Sequence, residues 1–213
     1  QPYSKRRAEA PKAHESFTLI FPGTLAPRYG LEVAIRAMPL LKDSIRNIRL
    51  LIIGQQGEYA RTLMSLAGQL DIGPLVEFKP AMPNREIPDQ LAQADVGIYP
   101  ALPDCHMSIA TPGKLLEFSL MGLPIISSRL RIVEEMFGES AVLFFEPGDA
   151  VQFAECVIRL HDDPQLRAEL VRRADRALVR RPSWDQELQT YSDLVQRLVS
   201  GKQNPLAVER SPR

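Results

Sequence analysis

Short apolar runs alternate along the chain with segments of helical spacing. Phe17 to Phe21, Ile48 to Ile53, Val76 to Phe78, Val96 to Tyr99, Leu123 to Ser127 and Val142 to Phe145 are strand-length and apolar, the pattern of strands covered on both faces. Between them, Leu31, Ile35 and Met38, then Leu63, Leu66 and Leu70, then Leu115, Phe118 and Met121 follow the period of an amphipathic helix. The order βαβαβα predicts an α/β fold, a Rossmann-like parallel sheet with right-handed crossovers and helices on both faces, and places a ligand at the carboxyl ends of the strands. Pro39 falls inside the first helical pattern and predicts a kink or an early stop. After the last strand, Val151 to Leu160, Gln165 to Leu178 and Trp184 to Val199 predict extra C-terminal helices, with Asp149 and Ser183 as N-caps of the first and third. Trp184 and Tyr191 are spaced to pack the last helix onto the core.

Residues 1–16 lack periodicity and read as a tail or inter-domain linker, and residues 201–213 read as a flexible tail. That leaves 17–200 as one domain, and a chain that begins with Gln1 reads as a piece of a longer protein. Composition agrees with a globular protein: 45% hydrophobic and 24% charged residues exclude collagen-like and wholly disordered chains. Lys and Arg number 26 and Asp and Glu 26, so no global basic field exists for nucleic acid, and an anionic ligand must meet a local site. Cys105 and Cys156 are too few for a disulfide framework or a cysteine zinc site, and His14, His106 and His161 share no ligand spacing, so no metal site is expected. The longest apolar stretch, Leu115 to Ser127, is broken by Glu117, Gly122 and Pro124, so no transmembrane segment is expected.

The densest chemistry lies between residues 105 and 128. Thr111 suits an N-cap, Pro112 the first helical position and Gly122 the exit, which predicts a helix from Pro112 to Met121. Lys114 then sits in the first turn, where a cation opposes the helix dipole unless an anion binds there. Free amides, the dipole and a lysine together make a phosphate site, and Gly113 lets the ligand reach the backbone. Glu117 falls on the same face and, as a carboxylate that only accepts hydrogen bonds, suits the vicinal hydroxyls of a ribose. A plain Lys114/Glu117 pair on a solvated face fits the same pattern, and both readings stand at this point. In the loop after the first strand, Gly23 and Gly30 bracket Arg28, which could meet a second anionic group. Neither glycine-rich nucleotide fingerprint is present. Asp104, Cys105 and His106 suggest a thiol and its base but read more simply as a solvated loop, and the helix Arg167 to Arg181, with Arg172, Arg173, Arg180 and Arg181, reads as a solvated charged face.

Five segments taken in order resemble the C-terminal, nucleotide-sugar-binding domain of retaining glycosyltransferases of family 4, which have the GT-B architecture. They are PGTLAPRYGLEVAIRAM, IRLLIIGQQGEY, VEFKPAMPNREIPDQLAQADVGIYPA, TPGKLLEFSLMGLPIISS, and FFEPGDAVQFAECVIRLHDDPQLRAEL with Ser183 and Trp184 beyond it. The resemblance implies the donor-binding half of a retaining glycosyltransferase that transfers a sugar from a nucleotide-activated donor to an acceptor hydroxyl. It implies an acceptor-binding N-terminal domain missing from this chain, which would be inactive alone. It also implies no cofactor, metal independence and a cytoplasmic enzyme, associated with membrane through the missing half.

In the family's Glu, seven residues, Glu motif, the second Glu matches Glu117 and the first falls on Ile109, a departure; TPGKLLE is similar to a variant with a Ser-Pro-x-Lys-like turn. The family's Arg and Lys after the first strand fall on Thr24 and Tyr29, also departures. Arg28 and Lys114 are the substitutes expected to stabilise the diphosphate, with Gly23, Thr24, Ile109, Thr111 and Gly113 expected to bind the donor. The base is expected against backbone groups of Lys79 and the side chain of Met82. Two other classes stay open: a nucleotide-sugar epimerase of GT-B fold, and a non-catalytic α/β ligand-binding module.

Overall fold

The computed structural model of the chain describes residues 16–179 and 184–200. Six strands, β1 (Phe17–Pro22), β2 (Ile48–Ile53), β3 (Val76–Lys79), β4 (Val96–Tyr99), β5 (Ile125–Ser128) and β6 (Leu143–Phe145), form one parallel sheet in the order β3-β2-β1-β4-β5-β6. The crossovers carry helices α1 (Leu31–Ser44), α2 (Glu58–Gln69), α3 (Ile87–Leu91), α4 (Gly113–Leu120) and α5 (Arg131–Phe137). After β6 come α6 (Ala150–Asp162), α7 (Pro164–Val179) and α8 (Trp184–Val199). Successive strand residues point to opposite faces, and Leu19, Ile20 and Phe21 are all fully buried, so helices cover both faces of β1. This is the expected Rossmann-like α/β fold.

The chain divides into two compact units, Gln1–Leu178 and Val179–Arg213, so α8 belongs to the second unit, whereas the sequence reading takes 17–200 as one domain. Trp184 and Tyr191 both fall within this second unit, which is described by itself. Ser183, Arg180, Arg181, His14 and both tails except Ser16 lie outside the described residues.

Pro39 does not stop α1, which continues to Ser44. A proline inside a helix costs about 3 kcal/mol, but Met38 and Leu41 on either side of it are fully buried, and two such side chains contribute roughly as much or more by leaving water. α3 and α5 have no counterpart in the sequence reading because helices of five and seven residues are too short to display a 3.6-residue repeat. Asp149 caps α6 as expected, its carboxylate accepting from the Val151 and Gln152 amides at 2.9 and 3.0 Å.

Two glycines set the approach of elements near the carboxyl ends of the strands. Gly30 has φ +59, and a Cβ there would lie 2.1 Å from the Pro100 carbonyl oxygen, so the loop after β1 passes against the loop after β4 only because residue 30 has no side chain. Gly97 in β4 leaves room for the Phe118 ring, which an added Cβ would meet at 2.4 Å, and this seats α4 on the sheet.

Candidate functional site

The strand order reverses between β1 and β4, and in an open parallel sheet the loops that leave two such strands diverge and leave a crevice. A cleft of about 650 Å³ opens at this point. Pro22 lines it from the end of β1 with Gly23 and Thr24 just after, Ile53 from the end of β2 with Gly54 just after, and Met82 and Asn84 from the loop after β3. Tyr99 at the end of β4 also lines it, as do Thr111 and the α4 residues Gly113, Lys114 and Glu117.

α4 begins one residue later than expected. Pro112 occupies the cap position, its carbonyl accepting the Leu115 amide at 3.0 Å, and no side chain caps the first turn. Thr111 is therefore exposed outside the helix and is not its N-cap, a correction that leaves the opening amides without a side-chain acceptor. A Cβ on Gly113 would meet nothing within 4 Å, so the backbone there is open to a ligand.

Lys114 does not lie on a solvated face. Its Nζ stands 4.2 Å from the ring centre of Phe21, 4.1 Å from that of Tyr29 and 5.3 Å from that of Tyr99. The fourth neighbour is the bare backbone of Gly23, where an added Cβ would be 3.4 Å from Lys114 Cε and 3.5 Å from Nζ. Burial of the ammonium pushes its pKa down to about 8, against the opposing attraction of the half-buried Glu117. The aromatic faces recover part of the lost hydration by cation–π attraction. Of the two readings of the Lys114/Glu117 pair, the solvated surface pair is thus the one the geometry excludes.

Three other expectations need correction. Arg28 does not line the cleft: it sits in a 3-10 turn, Pro27–Tyr29, where consecutive side chains diverge by about 120°, and its Nε lies 4.0 Å from the Asp104 carboxylate. Its carbonyl accepts the Leu102 amide at 2.8 Å, so Arg28 fastens one loop to the other, while Tyr29 takes the cleft side. Lys79 also lies outside the lining, because its Nζ donates to Gln90 at 2.8 Å and its carbonyl already accepts from the Gly54 amide at 3.1 Å and Gln56 Nε2 at 3.0 Å. Ile109 is 78% exposed and does not line the cleft.

The residues that the sequence reading missed are aromatic. Tyr29 entered only as a departure from a lysine, and Tyr99 only as the end of a strand. Tyr59 also lines the cleft, its hydroxyl donating to the Glu32 carboxylate, and burial raises its pKa above the ordinary range. A usable signal was present: Phe21 and Tyr99 each fall at or next to the carboxyl end of an apolar run, where ligands of this fold bind. The suspected thiol and base are not assembled. The Asp104 carboxylate accepts the Met107 amide at 2.6 Å, which chiefly holds its pKa below the usual carboxylate range, and Cys105 is exposed. Among the described residues no group of three or more His, Cys, Asp or Glu is placed to hold a metal ion, and no helix is long and apolar enough to cross a membrane.

The chain is similar to known glycosyltransferases. It is 33% identical over 107 residues to the GDP-mannose-dependent alpha-(1-6)-phosphatidylinositol monomannoside mannosyltransferase of Mycolicibacterium smegmatis, covering 49% of this chain and 28% of that protein. It is 26% identical over 192 residues to the D-inositol 3-phosphate glycosyltransferase of Thermomonospora curvata, covering 85% of this chain and 42% of that protein. In fold it matches Anabaena Alr3699/HepE in complex with UDP and glucose, with a TM-score of 0.71 at 16% identity over 87% of this chain and 48% of that one. It likewise matches the sucrose-phosphate synthase of Thermosynechococcus elongatus, with a TM-score of 0.76 at 18% identity over 88% of this chain and 46% of that one. The chain thus spans less than half the length of each of these proteins. Residues 3–177 match the family of glycosyl transferases group 1, and the chain belongs to that family.

Proposed function

We propose that this chain is the donor-binding, C-terminal half of a retaining family 4 glycosyltransferase that takes a sugar from a nucleoside diphosphate carrier to an acceptor hydroxyl. The observation that carries the reading is the convergence, at the strand-order reversal, of an uncapped helix start, the Lys114 ammonium and the Glu117 carboxylate on one cleft. The opening amides of α4 and Lys114 receive the diphosphate, Glu117 accepts hydrogen bonds from the ribose, and the base lies toward Met82. Negative charge that develops on the diphosphate as the sugar–oxygen bond breaks is met by the same amides and ammonium. The acceptor hydroxyl, held by a partner domain outside this chain, attacks on the face the leaving group vacates and gives its proton to the departing diphosphate. The donor is a substrate and no cofactor is involved. Because protein groups meet the phosphate charge, binding is metal-independent, and a cytoplasmic location fits a nucleotide-activated donor.

A thermal-shift panel with UDP, GDP, ADP and CMP, with and without Mg²⁺, tests this reading. One nucleoside diphosphate is expected to stabilise the chain without Mg²⁺, by about 2.7 kcal/mol at 100 times its dissociation constant. Unchanged melting with every nucleotide contradicts the donor site, and a strict Mg²⁺ requirement contradicts the metal-free binding.

A further inference from the structure

Phe21, Tyr29, Tyr99 and Lys114 come from four separate segments: the end of β1, the turn before α1, the end of β4 and the first turn of α4. The three rings form a continuous series, with Phe21 and Tyr29 centred 5.8 Å apart and Tyr29 and Tyr99 6.3 Å apart, both pairs tilted. Each ring also lies beside the same ammonium. Hydrophobic packing alone would put an aliphatic side chain there and leave the lysine in water.

The rings are themselves held in place. Tyr29 is fastened on both sides to the loop after β4: the Arg28 carbonyl accepts the Leu102 amide at 2.8 Å, and Gly30 lies against the Pro100 carbonyl. The Tyr99 hydroxyl donates to Met107 Sδ at 3.4 Å. What each tyrosine presents to Lys114 is therefore its ring, fixed by contacts made elsewhere.

We propose that Tyr29 and Tyr99 are positioning residues, which with Phe21 box the Lys114 ammonium and hold it against the cleft where it meets a diphosphate. The proposal rests on the donor-site reading for the identity of that anion, but the box itself does not. Lysine loses much side-chain freedom when it is fixed. A box that fixes it before the ligand arrives removes that cost from binding and keeps water from three sides of the charge. Glu117 is the charged group that acts on the ammonium, while Tyr29 and Asp104 act on the Tyr99 hydroxyl.

The test uses the 213-residue chain with Tyr29→Phe, Tyr29→Leu and Tyr99→Leu, each alone and with Lys114→Met. Nuclear magnetic resonance of the ligand-free protein is expected to show Lys114 Cε protons displaced by ring currents, retained in Tyr29→Phe and reduced in Tyr29→Leu. Calorimetry with the diphosphate from the thermal panel is expected to show about tenfold weaker binding for Tyr29→Leu, about native binding for Tyr29→Phe, and no further loss from Tyr29→Leu once Lys114 is Met. If Tyr29→Leu does not fold, Tyr29→Met fills the space without a π face and takes its place. Undisplaced Lys114 resonances in the native chain, or an equal loss from Tyr29→Leu with and without Lys114, overturn the box. Absence of any diphosphate binding by the native chain overturns the donor reading and the anion role with it, whereas binding that Tyr29→Leu and Tyr99→Leu both leave unchanged overturns the box alone.

Discussion

The Lys114 ammonium stands 4.1 Å from the centre of the Tyr29 ring, so a helix following β4 sends its cation across the cleft to a ring carried by the loop following β1. Two loops that diverge from the sheet are thereby joined through one charge. Residue 29 thus supplies a ring surface against the charge that α4 brings.

That placement makes stability depend on pH in a definite direction. The Lys114 pKa is about 8 in the folded chain against an ordinary 10.5, so between those values the unfolded chain binds more protons than the folded one. Ligand-free stability attributable to Lys114 should therefore rise from about pH 8 to 10.5 and level off above, by at most about 3 kcal/mol. Denaturant titrations of the native chain and Lys114→Met across this range, compared by difference, should show that rise only in the native chain. At pH 7 Lys114→Met should be neutral or more stable than native when no ligand is present. A difference that stays flat or falls with pH would mean that the lysine is not desolvated.

Gly23 adopts φ +128, a conformation L side chains rarely take, while a Cβ there would stand at ordinary contact distance from Lys114. Gly23→Ala should therefore destabilise through backbone strain of about 1–3 kcal/mol, with relief of that strain by loop movement displacing Lys114 and weakening diphosphate binding. Melting temperature and nucleotide affinity should fall together. An alanine variant with native melting and native affinity would show that this glycine sets neither.

Asp149 does not line the cleft and provides a control. Its carboxylate caps α6 through two amides, so Asp149→Ala should cost about 1 kcal/mol of stability and leave nucleotide binding unchanged. Loss of nucleotide affinity in this variant at constant folded fraction would tie α6 to the site.

The sheet was legible because its strands are nearly continuous apolar runs; Val96 to Tyr99 could be read to the residue, since all four positions are buried and no alternation blurs the ends. The helix of the site was legible to within one residue, with Pro112 rather than Thr111 at its cap because the Pro112 carbonyl accepts the first helical hydrogen bond. Gly23, Lys114 and Glu117 could be selected by residue type and spacing, and all three line the cleft. Arg28 was misassigned for a physical reason: sequence shows that a charge is present but not which way a 3-10 turn aims it, nor that Asp104 comes within reach from a loop 76 positions on. The aromatic box was illegible because its three rings and the lysine come together only when β4 inserts beside β1 instead of beside β3.

The central claim is that Lys114 meets the diphosphate and Glu117 the ribose, and calorimetric titration of Lys114→Met and Glu117→Gln with a nucleoside monophosphate and the matching diphosphate tests it most directly. Glu117→Gln replaces one acceptor oxygen with a donor and should weaken both ligands equally, by about 1.5–3 kcal/mol, the range for hydrogen bonds to charged groups. Lys114→Met should weaken the diphosphate more than the monophosphate, by a margin that shrinks as salt rises. Equal affinities of native and variant chains for both ligands would contradict the account.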